Sequence, residues 1–88
     1  MRLVNGFLTH ETPDGIIAVA TGEAATRFTG MMRLNETAAL IVEALSEETT
    51  QEALVAKMMA EYNVEQAVAE KDVAAVLSSL RGAGLLVE

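Results

Sequence analysis

The spacing of apolar and polar residues divides the chain into a first part with predicted strands and a second part with predicted helices. Short apolar runs, alternating in part with polar residues, predict strands over Phe7–Glu11 and Ile16–Ala20. Pro13-Asp14-Gly15 between them is typical of a tight turn, so the two strands should form a β-hairpin. Asn5-Gly6 indicates a further turn or bulge just before the hairpin.

A third strand is predicted over Phe28–Leu34, after a connector over Thr21–Arg27. Gly30 weakens this strand because it has no side chain to pack, and a β-bulge is expected there. The three strands are expected to form one antiparallel sheet.

Beyond this strand the apolar period changes from about 2 to about 3.6 residues, which predicts helices. Asn35 is a favourable N-cap for the first helix, which should extend to residue 45 or 46. The second helix is predicted to begin at Thr49 or Thr50, with Thr49 and Glu52 as a capping-box pair, and to end before Asn63.

The third helix is predicted over Gln66–Ala83, with Gly84 as its left-handed C-cap. Glu65-Gln66 is a weak start, so the first turn is expected to fray. Leu85–Val87 should fold back onto the core. The helices are expected to contribute to that core Ala38, Ile41, Val42, Leu45, Leu54, Val55, Met58, Met59, Tyr62, Ala69, Val73, Val76, Leu77, Leu80 and Ala83.

Three strands followed by three helices give an α+β fold, and a three-helix unit beside a small sheet is the arrangement of winged helix-turn-helix domains. A chain of 88 residues has room for one core, so residues 1–88 are expected to form a single domain. The 51% content of hydrophobic residues predicts that it folds, and the 3% content of aromatic residues predicts a largely aliphatic core.

The formal charge of −7 argues against DNA, the usual partner of this fold class. Winged helix domains usually bind DNA through the third helix, but the charges of that helix sum to zero here and no cluster of Lys or Arg exists. Nucleic acid and membrane surfaces are therefore not expected as partners. The absence of Cys and of any long apolar run fits a soluble cytoplasmic protein.

Groups able to support catalysis are few. His10 is the single histidine and is expected at the surface of a strand. The acidic pairs Glu47-Glu48 and Glu70 with Asp72 lack the spacing of a calcium loop. We therefore expect a binding protein, not an enzyme, with no cofactor and no metal.

The third strand is the candidate binding surface, because proteins normally protect the edges of a sheet unless those edges are used. Met31-Met32-Arg33 combines two flexible thioethers with a cation in an acidic chain. On composition alone, the more frequent role for both methionines is to fill gaps in a core that is poor in aromatic residues.

Five segments occur in an order and spacing that are more specific than any one segment alone. They are Phe28–Ala38, Thr49–Glu52 with Leu54-Val55, Glu61–Val64, Asp72-Val73 and Leu80–Leu86. The most specific parts are Leu34-Asn35-Glu36-Thr37 and the terminal Leu80–Leu86. Together these segments resemble the PqqD family of small peptide chaperones, also called RiPP recognition elements.

The resemblance implies a non-catalytic domain that binds the leader segment of a ribosomally made precursor peptide and presents it to a modifying enzyme, often a radical SAM protein. The leader would add as a strand on the edge of the third strand, in the groove between that strand and the third helix. The residues that this implies for peptide binding are Thr29, Met31, Met32, Arg33 and Leu34 in the strand, and Lys71, Ala74, Ala75, Ser78 and Arg81 in the helix.

Two further hypotheses concern the partner. Arg33 and Lys71, both rare cations in this chain, would suit a leader with acidic positions. The alternative function is a winged-helix protein-interaction or homodimerisation module of a regulatory system, in which two copies pair through the same strand edge.

Overall fold

The computed structural model describes residues 1–88 and contains a three-stranded sheet, a two-stranded sheet and four helices. None of these helices is both long and apolar enough to span a bilayer. In chain order the elements are β1 (Arg2–Leu3), β2 (Phe7–Thr12), β3 (Gly15–Ala20), α1 (Gly22–Arg27), β4 (Met31–Leu34), α2 (Glu36–Ala44), α3 (Gln51–Glu61), α4 (Gln66–Gly82) and β5 (Leu86–Val87).

The predicted hairpin and antiparallel sheet are confirmed. β2 and β3 pair from Phe7 opposite Ala20 to Thr12 opposite Gly15, which leaves a two-residue loop. The hydroxyl of Thr12 donates to the carbonyl of Gly15 at 2.8 Å and closes the turn. β4 pairs antiparallel with β3 only, so the sheet order is β2-β3-β4.

The third strand is shorter than the predicted Phe28–Leu34, since β4 begins at Met31. Gly30 has a φ of 103°, which turns the chain before pairing starts, so the expected bulge is replaced by a strand end. Phe28 leaves the sheet, and its ring packs against Phe7 with centroids 6.1 Å apart. The preceding connector is the helix α1, whose six residues are too few to show a helical period.

The starts of α2 and α3 are set by side-chain caps. Asn35 is the N-cap of α2, as predicted, and its side chain accepts a hydrogen bond from the N–H three residues on at 2.8 Å. Thr50 caps α3 in the same way at 3.1 Å. The predicted capping box of Thr49 with Glu52 is therefore wrong, because the N–H of Thr49 instead donates to the carbonyl of Met1.

The end of α4 reverses the chain through a Schellman motif. Gly84 has a φ of 73°, and its N–H donates to the carbonyl of Arg81 at 3.1 Å. The N–H of Leu85 donates to the carbonyl of Leu80 at 2.9 Å, so the predicted role of Gly84 is confirmed. At the other end of α4, Glu65 makes no side-chain cap hydrogen bond, in line with the weak start expected there.

This reversal buries Leu85 completely and leads into β5, which pairs antiparallel with β1. The two-stranded sheet was not predicted, because strands of two residues carry no period. It joins the two ends of the chain beside the core.

The core consists of 14 buried apolar residues drawn mainly from α2, α3 and α4. The members from α4 are Ala69, Val73, Leu77 and Leu80, which confirms the predicted stripe. Met58 is fully buried, whereas Met59 is 39% exposed and Ala83 is also exposed, so these two core predictions are wrong. Met59 directly follows the buried Met58 and so lies on a neighbouring face of α3. Ala83 is the C-cap residue of α4, beyond the last helical residue, Gly82.

Gly6 fixes the start of the sheet against α1. Its φ is 111°, and its carbonyl accepts hydrogen bonds from both the N–H and the hydroxyl of Thr21, at 2.8 and 2.6 Å. A Cβ atom at this position would lie 2.0 Å from the carbonyl oxygen of Thr21. Glycine is therefore required here both by backbone conformation and by space.

We expect Gly6→Ala to lower the free energy of unfolding by about 2–6 kcal/mol, because backbone strain and overpacking add. Gly15→Ala is the matched control, since Gly15 also has a positive φ of 132° but open space around its Cβ position. The control should cost only about 1–3 kcal/mol. Urea unfolding of both variants measures the difference, and equal losses would contradict this account.

Candidate functional site

The outer edge of β4 has no partner within the chain. β4 pairs with β3 on one side, and its other side presents backbone N–H and C=O groups that no neighbouring strand pairs with. β2 is the other edge of this sheet, but Thr9, His10, Glu11 and Thr12 make it polar. The β4 edge is therefore the apolar edge left open.

The side chains of β4 alternate between two environments. Met31 and Arg33 are exposed, whereas Met32 and Leu34 are half-buried and pack against the core. Met31 is 60% exposed, so the alternative in which both methionines fill the core is wrong for this residue. Only Met32 and Leu34 point toward the helices.

A groove of about 410 Å³ lies between β4, α2 and α4. Its buried members, Val42 and Leu80, belong to the core, and small side chains at Ala38, Ala75 and Ser79 leave the space open. The lining is Met32, Arg33, Leu34, Ala38, Val42, Ala75, Val76, Ser79 and Leu80. It offers an apolar channel directly beside unpaired backbone groups.

Four of the predicted site residues, Met32, Arg33, Leu34 and Ala75, belong to the groove lining. Met32 and Leu34 point toward it, whereas Arg33 lies between them on β4 and its side chain is on the outward face. Met31 belongs to the same strand but lies on the opposite face of the sheet.

The other predicted residues lie outside the groove lining. Lys71 and Ser78 are exposed, four and three residues from Ala75, and so lie on adjacent turns of α4. Ala74 is exposed on another face of the helix, and Thr29 is exposed ahead of β4.

Arg81 is engaged elsewhere. Its guanidinium donates to both carboxylate oxygens of Glu88, with the shortest contact at 2.7 Å. The hydrogen bond and the opposite charge lower the pKa of the Glu88 carboxyl and raise the pKa of Arg81. The guanidinium of Arg81 is thus turned toward the C-terminal segment.

Sequence reasoning missed the contribution of α2 to the site. Ala38 and Val42 line the groove, and the pattern had assigned both to the core only. A signal was present, because Asn35 caps α2 directly after β4 and the first turn of this helix must therefore lie at the end of the strand. Ser79 was missed because it is a polar residue beside the predicted stripe of α4.

Charge at the site is carried by Arg33. The two ion pairs of the structure join the N-terminal amino group to Glu48, and Arg81 to Glu88, so Arg33 is an unpaired cation at the open edge. His10 is exposed on β2, and no group of three His, Cys, Asp or Glu side chains is arranged to hold a metal ion.

Comparisons with known proteins find solved structures with a similar fold. Two solved structures are similar along nearly the whole chain: lasso peptide synthetase B1 complexed with the leader peptide, and TbiB1 in complex with the TbiA(beta) leader peptide. The first is 29% identical with a TM-score of 0.69, and the match covers 99% of this chain and 96% of that chain. The second is 21% identical with a TM-score of 0.71, and the match covers 98% of this chain and 94% of that chain. At this identity it supports the fold alone.

No curated protein matches the sequence. The family model described as "Coenzyme PQQ synthesis protein D (PqqD)" matches residues 12–86, a range that includes both the open β4 edge and the helix that faces it. The chain therefore belongs to the PqqD family.

Proposed function

We propose that this protein is a peptide chaperone that binds the leader segment of a ribosomally made precursor peptide by strand addition to β4. The observation that carries the proposal is an unpaired, apolar strand edge that borders an apolar groove. The protein binds and presents the peptide without catalysing a reaction itself.

Strand addition explains how such a site gains affinity. An added strand lies about 4.8 Å from β4, where its backbone can pair with the free N–H and C=O groups. Alternate side chains of that strand then enter the groove beside Met32 and Leu34. Backbone pairing is tolerant of sequence, so the groove supplies the selection for apolar side chains.

Both structural neighbours are described in complex with a leader peptide, which supports this class of ligand. The partner that acts on the bound peptide is a modifying enzyme, and a radical SAM protein is the class that the resemblance to the family implies. Precursor peptides are made by ribosomes, so the protein would act in the cytoplasm.

The same edge could also serve homodimerisation, with β4 of two copies paired. Against this alternative, each chain carries a formal charge of −7, and like charges oppose self-association. An apolar groove beside the edge also has a clear role in accepting the side chains of a peptide. We therefore prefer the chaperone function.

A peptide selected from a random display library should bind at the β4 edge, because that edge offers free backbone groups. In a ¹⁵N titration with the selected peptide, the amide resonances of residues 31–34 and of the groove face of α4 should shift most. Sedimentation of the free protein should show a monomer. Shifts confined to β2 or α3, or a stable dimer with β4 at its interface, would contradict the proposal.

Filling the groove should block binding while leaving the edge intact. Ala75→Trp places a large ring in the groove, and we expect at least about tenfold weaker binding of the selected peptide in isothermal titration calorimetry. Ala74→Trp is the matched control, because Ala74 is exposed on the same helix outside the groove. Equal loss in both variants, or in Ala74→Trp alone, would contradict the assigned groove.

A further inference from the structure

The face of the sheet that is turned away from the helices carries a row of apolar side chains. Leu8 lies opposite Val19, and Val19 lies opposite Met31, so the three cross the sheet from one edge to the other. Leu8 is 54% and Met31 60% exposed, and with the half-buried Val19 between them they form one contiguous apolar row. The row ends at the open β4 edge with nothing beyond it.

A second row runs beside the first on the same face. His10 lies opposite Ile17, and Ile17 lies opposite Arg33. Arg33 ends this row at the β4 edge, two residues from Met31. Because alternate residues of a strand share a face, Met31 and Arg33 form one outward-facing pair.

A strand added to β4 must extend both rows, whichever direction it runs. One of its residues would lie beside Met31, and another, two positions away, would lie beside Arg33. The side chains of these two residues of the added strand point away from the groove, so contacts in the groove cannot select them. Any selection at these positions has to come from the outward-facing pair.

We infer that this outer pair of Met31 and Arg33 is a second specificity surface, an inference that rests on the proposed function. It selects an acidic residue beside Arg33 and an apolar residue, β-branched or aromatic, beside Met31. The recognised strand thus carries an acidic and an apolar residue two positions apart on one face, and apolar residues for the groove on the other.

Arg33 supports an acidic partner because its cation is left unpaired at the edge. Its guanidinium makes no ion pair, although Glu11, Asp14 and Glu36 line the depression that it borders. It is one of only six Lys and Arg residues against thirteen Asp and Glu. An opposite charge on the neighbouring strand would pair with it, whereas a Lys there would be repelled.

The exposure of Met31 supports an apolar partner in the same way. The thioether packs adaptably against aromatic and aliphatic groups, and its exposed surface would be covered by a side chain on an added strand. Aromatic and β-branched residues form the more favourable cross-strand pairs.

Selection from a random-peptide display library tests this directly. With the unmodified protein, the enriched peptides should carry an acidic and an apolar residue two positions apart. With Arg33→Glu, the acidic position should become basic. Lys57→Glu makes the same change in net charge on α3, away from the edge, and should leave the acidic preference unchanged.

A charge-swap cycle measures how strongly Arg33 selects an acidic residue of the peptide. Replacing the acidic residue of the selected peptide by Lys should weaken binding about five- to tenfold, and Arg33→Glu should restore it. If the peptide shifts the β4 amides but its affinity ignores both charge changes, the second specificity surface is refuted while the chaperone function stands. If no selected peptide shifts the β4 amides, the proposed function fails as well.

Discussion

The constraint on which the structure depends is that backbone N–H and C=O groups at the edge of a sheet need hydrogen-bond partners. β4 pairs with β3 on one side and leaves its other side unpaired. Proteins commonly protect such an edge with charge or proline, yet three of the four residues of β4 are apolar. Water can satisfy the hydrogen bonds of so short an edge in the monomer, and an added strand can replace that water when it pairs with β4.

The core holds the groove open beside this edge. Asn35 starts α2 directly after β4, and the buried stripe of α4 packs that helix against the same core. The small residues Ala75 and Ser79 then face β4 across a gap that no side chain of the chain fills. The Schellman motif at Gly84 and the two-stranded sheet beyond it hold the far end of α4 in place. Edge and groove are thus positioned by rigid elements, which lowers the entropic cost of binding.

The sequence predicted the elements that have a clear apolar period or a clear capping or turn residue at their ends. The hairpin, the cap at Asn35, the stripe of α4 and the turn at Gly84 all follow from local rules. The helix α1 and the strands β1 and β5 were missed because each is too short to show a period. The candidate site was predicted in part: three strand residues and Ala75 belong to the groove lining, whereas the other predicted helix residues do not. A stripe of alanines does not show which side of a helix faces a neighbouring strand. The opposite environments of Met31 and Met32 required the register of the sheet.

Hydrogen exchange at the β4 amides tests the central claim most directly, because it measures backbone pairing itself. In the free protein, the outward-facing amides of residues 31–34 should exchange rapidly, and a saturating library-selected peptide should slow them by at least about tenfold. The amides of the β2 edge should keep their rates. Outward-facing β4 amides that are already protected in the free protein, or protection that increases only along β2, would contradict the account.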